Sequence, residues 1–121
     1  MIISRTPFRV SFLGGGTDLP SFWQEEEGAV LSTAIDKYMH ITVNDRFDES
    51  FRLSYSKTEI CKSVDEIEHK IIRTVLKTYD ARAREKTGGR GLEILSMADI
   101  PSGTGLGSSS SFTVSLLHAL K

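Results

Sequence analysis

The sequence holds a single cysteine, Cys61, in 121 residues. No disulfide can close within the chain, so a small scaffold stapled by disulfides is excluded, and the lone thiol fits a reducing compartment. A charge surplus is also missing, because 15 Lys plus Arg face 16 Asp plus Glu. Nucleic-acid affinity rests on neutralising backbone phosphates, and no cationic excess is present to do so. No run approaches the roughly 20 apolar residues of a membrane-crossing helix. Met1-Ile2-Ile3-Ser4-Arg5 lacks the apolar stretch and small-residue cleavage site of a secretory signal. A cytoplasmic protein without membrane partners is the expectation. Internal repeats are absent. His40, His69 and His118 fall far apart in different expected elements, which gives no support to a histidine metal centre. They read as surface or satisfied core residues, and Cys61, beside Lys62 but without a positioned histidine, reads as an inert thiol.

What is present is an ordinary globular balance of 39% hydrophobic and 26% charged residues. A chain of this size supports one core and buries about two thirds of its unfolded surface. Phe8, Val10 and Phe12 alternate with Arg9 and Ser11, which predicts a strand that stops at Gly14-Gly15-Gly16. Asp18 as cap, Pro20 in the first turn, Phe22 and Trp23 as an apolar side and Gly28 as a stop predict a short helix. The apolar run over residues 29–35 and the alternation of Met39, Ile41, Val43 and Phe47 predict two further strands. Phe51, Leu53 and Tyr55 follow the short connection Asp48-Glu49-Ser50, which predicts an antiparallel neighbour and a meander. Spacings of three and four from Val64 through Ile67, Ile71, Ile72, Val75 and Leu76 to Tyr79 predict a helix whose stripe packs on the core. Gly88-Gly89-Arg90-Gly91 breaks the chain, residues 92–97 read as a strand, and residues 112–120 read as a helix. The fold class is α+β.

The segment Pro101-Ser102-Gly103-Thr104-Gly105-Leu106-Gly107-Ser108-Ser109-Ser110-Ser111 lies between that strand and that helix. Main-chain N–H groups and a helix dipole converge on an anion at such a junction. Glycines permit close approach and positive φ, and serine hydroxyls can bond phosphate oxygens or magnesium. A flexible linker of the same composition is the alternative, but Leu106 and the tight flanking elements argue against it. The segment has neither the Gly-Lys-Ser/Thr of a Walker A loop, nor the last glycine of G-x-G-x-x-G, nor a G-x-S-x-G elbow.

The pattern P-x-G-x-G-L-G-S-S closely resembles the phosphate-binding motif of the GHMP kinases, the superfamily of galactokinase, homoserine kinase and mevalonate kinase. The earlier run Thr6-Pro7-Phe8-Arg9-Val10-Ser11-Phe12-Leu13-Gly14-Gly15-Gly16-Thr17-Asp18 is similar to the N-terminal signature of the same family, so the resemblance spans the chain. It implies a ribosomal-protein-like α+β domain, mostly antiparallel with helices on one face. It implies ATP and Mg2+ as cofactors, with Pro101, Gly103, Thr104, Gly105, Leu106, Gly107, Ser108, Ser109 and Ser110 around ATP. Ser109 is the favoured metal contact and Ser108 the second choice. Arg9, Gly15, Gly16, Thr17 and Asp18 are implied at the acceptor. Arg9 is also the one catalytic candidate, through its charge on the transferring group. Arg9 on a solvated strand face and Asp18 as a helix cap are the plain structural readings of the same residues. Gly15-Gly16 replaces the Glu-His of galactokinases, which points away from galactose and toward the branch of heptose 7-phosphate kinases and related sugar kinases. The implied reaction phosphorylates a sugar phosphate at its anomeric hydroxyl.

The family's catalytic aspartate, acidic magnesium ligand and late glycine-rich motif have no match in this sequence. The general base is therefore expected beyond Lys121, the last residue. Residues 1–121 are accordingly expected to form one partial N-terminal domain, with the rest of that domain and a C-terminal domain absent. Such a piece is expected to lack kinase activity by itself and to self-associate through uncovered apolar surface. A second reading, a non-catalytic nucleotide- or RNA-binding assembly module, remains, with the near-neutral charge standing against RNA.

Overall fold

The computed structural model of the chain describes residues 1–87 and 90–121, and describes 79–87 by backbone alone. Two long strands, β1 (Ile2–Leu13) and β2 (Leu31–Asp45), pair antiparallel with Ser4 opposite Ile41 and Thr6 opposite Met39. β2 pairs on its other edge with β5 (Leu92–Ala98), also antiparallel, with Val43 opposite Ile94. β3 (Phe51–Ser54) lies parallel to β5, and β4 (Thr58–Cys61) closes a hairpin on β3. The order is β1-β2-β5-β3-β4.

Two sequence expectations give way here. The residues read as two strands form one, because Tyr38 pairs with Pro7 through the polar stretch between the apolar runs; the ladder with β1, not side-chain alternation, sets the strand length. Nor is there a meander from β2 into β3, since β5 inserts between them. The turn after β2 is bent aside by its own polar groups. The Asp48 carboxylate accepts from the Arg46 guanidinium at 2.9 Å, from the Ser50 N–H at 3.0 Å and from the Ser50 hydroxyl at 2.7 Å. These bonds, Arg46 foremost, hold the Asp48 carboxyl far below its ordinary range. The Arg46 N–H donates to the Gly91 carbonyl at 2.9 Å and the Gly91 N–H to the Asp48 carbonyl at 2.7 Å, which seats the start of β5 beside the turn. The parallel β3–β5 pair then requires a long crossover, supplied by β4 and the following helix.

That helix, α2 (Lys70–Thr87), starts later than the apolar spacing suggests. Val64–Glu66 is a separate 3-10 turn capped by the Ser63 hydroxyl, which accepts from the Asp65 N–H at 3.3 Å. Val64, Ile67, Ile72, Val75 and Leu76 are nonetheless buried as the stripe implied, with Ile71 half-buried. The Tyr79 side chain and the Gly88-Gly89 break lie outside the described residues. The last helix, α3 (Ser108–Leu120), begins four residues before Phe112 and takes in the serine run.

One face of the sheet carries the core. Phe8, Met39, Ile41, Val43, Phe51, Leu53, Leu92 and Ile94 meet Ile72, Val75 and Leu76 of α2 and Phe112, Leu116 and Ala119 of α3. Ser4 and Ser115 join inside it, the Ser4 hydroxyl donating to the Ser115 carbonyl at 2.6 Å. Ile3, Ile60, Leu95 and Met97 face out on the other side. Phe12 departs from the expected buried alternation: it is 63% exposed, because pairing irregularities at Pro7/Arg9 and Ser11/Leu13 turn the end of β1. Beyond the core, residues 31–38 of β2 pair with β1 alone, and Leu13, Leu19, Trp23, Val30 and Leu31 of this arm are exposed.

Ile41→Ala should cost about 2–5 kcal/mol in urea unfolding, the range for a fully packed core position. Ile60→Ala, on the outer face, should stay within about 0.5 kcal/mol. Equal costs at the two positions would contradict a core confined to one face.

Candidate active site

The glycine-serine segment joins β5 to α3. Gly103, Gly105 and Gly107 take φ of 83°, 74° and 76°, the left-handed region that side chains disfavour. Gly107 is the N-cap of α3 and offers no side-chain cap. Helix starts leave N–H groups without internal partners, and here those of the serine run face the loop with the positive end of the helix dipole. Not every serine is available to a ligand. Ser111 is buried and its hydroxyl donates to the Pro7 carbonyl at 3.1 Å. The hydroxyls of Ser108, Ser109 and Ser110 have no hydrogen-bond partner among the described residues, and Ser109 and Ser110 are exposed. The Thr104 hydroxyl stays within the loop, donating to the Pro101 carbonyl at 3.4 Å.

β1 reaches the loop at Arg9. Its N–H donates to the Leu106 carbonyl at 3.3 Å, and its guanidinium donates to the Ser11 hydroxyl at 2.7 Å. A β-carbon at Gly107 would lie 3.3 Å from Arg9 Cγ, so the arginine stem rests on the loop's last glycine. Among the described residues no carboxylate pairs with Arg9, which leaves its charge for another anion.

Beside the loop opens a cavity of about 540 Å3, with Pro101, Ser102, Gly103, Ser108 and Ser109 on its loop side. Its other wall is aromatic, formed by Tyr55, His69 and Phe112. The His69 ring stacks on Phe112 with centroids 5.0 Å apart, and Tyr55 meets His69 edge-on at 4.7 Å. His69 also caps α2, its Nδ1 accepting from the Ile72 N–H at 3.3 Å. That bond needs a neutral ring protonated on Nε2, and burial depresses the His69 pKa in the same sense, with Glu59 opposing. The Tyr55 hydroxyl donates to Glu59, whose second oxygen accepts from the Glu68 N–H at 2.7 Å. Burial and then this bond push the Tyr55 pKa up to about 12. Burial acts to raise the Glu59 carboxyl, but the Tyr55 hydroxyl, the Glu68 N–H and Lys57 outweigh it and hold the carboxyl low.

A family model, the GHMP kinases N-terminal domain, matches residues 70–121, which contain α2, β5, the loop and α3. That match covers a little under half of the chain. Over 98% of its length the chain is 28% identical to the D-glycero-alpha-D-manno-heptose 7-phosphate kinase of Campylobacter jejuni, and it spans 36% of that relative. Two solved structures share the fold over 98% of the chain. A D-glycero-D-manno-heptose 1-phosphate kinase from Bacteroides thetaiotaomicron superposes with a TM-score of 0.78 at 21% identity, the chain covering 40% of it. The Methanococcus jannaschii mevalonate kinase superposes with a TM-score of 0.73 at 23% identity, the chain covering 39% of it. The chain thus spans well under half the length of the relatives it matches.

The fold brings some of the expected site residues together and leaves others apart. Arg9 joins the loop, and Pro101, Gly103, Ser108 and Ser109 line the cavity, while Thr104, Gly105, Leu106, Gly107 and Ser110 do not line it. Gly15, Gly16, Thr17 and Asp18 form a 3-10 turn at the end of β1, with no hydrogen bond to the loop among the described residues. Asp18 does not cap α1 (Pro20–Trp23); Leu19 holds the N-cap position. The turn closes instead through Thr17, whose hydroxyl donates to the Gly14 carbonyl at 2.7 Å. This occupies Thr17 structurally and leaves Asp18 exposed, without an ion pair or hydrogen bond among the described residues. Lys121, the residue past which the general base is expected, is the C-cap of α3. It therefore stands at the opposite end of that helix from the loop, about 20 Å along its axis, and takes no part in the site. No Asp or Glu among the described residues lines the cavity in the place of such a base. Tyr55, His69 and Phe112 escaped the sequence reading, because they come from a strand end, a helix cap and a helix turn that only the tertiary fold brings together.

The depressed His69 pKa fixes a sign. The unfolded chain takes up the proton first, so stability is full above the ordinary histidine value of about 6.5 and falls as pH drops below it toward the folded value. His69→Gln should flatten that fall in denaturation midpoints measured from pH 7.5 to 5. An unchanged slope would remove His69 as its source.

Proposed function

We propose that this domain is the ATP-binding part of a sugar-phosphate kinase, which transfers the γ-phosphoryl group of ATP to a hydroxyl of a heptose 7-phosphate-type acceptor. The observation that carries the reading is the clasp of Arg9 onto Leu106 and Gly107, which sets a guanidinium with no carboxylate partner among the described residues at a helix start without a side-chain cap. Backbone donors and a positive dipole suit the phosphates of ATP, and the aromatic cavity alongside suits its base. The heptose phosphate kinases among its relatives support the acceptor class.

In this scheme the first-turn N–H groups of α3 hold the phosphate chain, and Arg9 stabilises charge that develops on the transferring group. The donor set fits Mg2+ as a phosphate-borne ion: Ser109 presents an exposed hydroxyl at the cavity, and no cluster of three acidic, histidine or cysteine side chains among the described residues would form a protein-only site. Bound Mg2+ neutralises charge on the phosphate oxygens, and Ser109 is the residue that would hold it. The glycine turn lies at the far end of the same strand as Arg9, roughly 13 Å along β1 at 3.3 Å per residue. Open space over Gly15 and Gly16 leaves room for an acceptor there, with Asp18 as the free carboxylate to receive its hydroxyls. The base that takes the acceptor proton is assigned to the length of the relatives that this chain does not span. These 121 residues therefore bind ATP without turnover. The exposed arm supports their self-association, and a monomer in light scattering at high concentration would overturn that part.

ATP with Mg2+ should raise the melting temperature of the chain, by about 2.7 kcal/mol of stabilisation at one hundred times Kd. Arg9→Ala should weaken ATP at least about tenfold, in line with loss of a charge-assisted bond. Ser109→Ala should weaken ATP only when Mg2+ is present. RNA retention with no response to ATP would contradict the kinase reading.

A further inference from the structure

Gly107 is required by more than its backbone angle. Its φ of 76° matches the 83° of Gly103 and the 74° of Gly105, but the three glycines differ in what lies over them. A β-carbon at Gly103 or Gly105 would meet nothing within 4 Å, whereas one at Gly107 would lie 3.3 Å from Arg9 Cγ, 3.5 Å from Nε and 3.6 Å from Cζ. The three nearest atoms to the added carbon all belong to one side chain, the cation of the proposed site.

We infer that Gly107 is a positioning residue for Arg9, its missing side chain leaving the slot in which the guanidinium lies against the start of α3. This rests on the kinase reading above. Two further contacts fix the geometry. The Arg9 N–H is held by the Leu106 carbonyl at 3.3 Å, so the strand cannot retreat to make room. The guanidinium is held by the Ser11 hydroxyl at 2.7 Å, so a shift that begins at Cγ must break or stretch that bond. A β-carbon at residue 107 therefore moves the charged end of Arg9 while the loop keeps its path. Electrostatic stabilisation of a phosphoryl group depends on such placement, and a contact of 3.3 Å obliges Arg9 to give by a few tenths of an ångström. Backbone strain explains why all three positions are glycine; contact with Arg9 distinguishes the third.

The test is a double-mutant cycle in pyrophosphate affinity, measured by calorimetry on the 121-residue chain, with Gly105→Ala as the strain-matched comparison. Gly107→Ala and Arg9→Ala are each expected to lose at least about tenfold, and the double variant clearly less than the product of the two, because only the strain part of the Gly107→Ala loss, the part Gly105→Ala also carries, remains once Arg9 is gone. Gly105→Ala should instead lose a similar factor whether or not Arg9 is present. The Arg9 Nε–H resonance should move in Gly107→Ala and stay in place in Gly105→Ala. Should Gly107→Ala fail to fold, Gly107→Asn supplies the same β-carbon with a residue that tolerates the left-handed region. Additive losses for Gly107→Ala and Arg9→Ala, or an unmoved Arg9 resonance, would overturn the inference while leaving the nucleotide reading intact. Absence of pyrophosphate and ATP binding by the unaltered chain would overturn both.

Discussion

Strand β1 is bonded to the last quarter of the chain at three points. The Ser4 hydroxyl meets the Ser115 carbonyl at 2.6 Å, the Ser111 hydroxyl meets the Pro7 carbonyl at 3.1 Å, and the Arg9 N–H meets the Leu106 carbonyl at 3.3 Å. These bonds are polar and partly or wholly buried, where an unmade bond is costly, so they fix the register of α3 on β1 more sharply than apolar packing would. The site depends on that register. Sliding α3 by one turn, about 5.4 Å, would carry Gly107 away from Arg9 and separate the helix start from its cation.

The same contacts show why small residues crowd the start of α3. Ser111 and Ser115 lie four apart on one helix face, both buried against β1. Their size lets helix and strand approach closely, the Ser111 hydroxyl bonding the Pro7 carbonyl and the Ser115 hydroxyl pairing with that of Ser4. The serine run thus divides: Ser111 ties the helix down, while the hydroxyls of Ser108, Ser109 and Ser110 have no hydrogen-bond partner among the described residues. Composition alone shows four equivalent serines, and burial separates them.

Local features were legible in the sequence and distant ones were not. The strand ending at the glycine turn, the buried stripe of α2, β5 and the loop before α3 all follow from periodicity and glycine placement. The family resemblance came from two motifs of specific residue order. What escaped was set by long-range pairing. β5 slips between β2 and β3 because Gly91 bonds the turn at residues 46–48, a contact no window around Phe51 contains. Asp18 was a reasonable cap by residue type, yet the Thr17 hydroxyl closes the turn and moves the helix start to Leu19. Tyr55, His69 and Phe112 carry no local signature of a cavity wall, since their meeting depends on the crossover that brings α2 beside α3.

The central claim is that the start of α3, with Arg9 laid across it, forms a phosphate site. Its most direct test is titration of the isotope-labelled chain with ATP and Mg2+, followed through backbone amide resonances. The largest shifts are expected at residues 103–110, with smaller ones at Arg9 and His69. Shifts confined to the outer sheet face at Ile3, Thr42 and Leu95, with residues 103–110 unmoved, would contradict it.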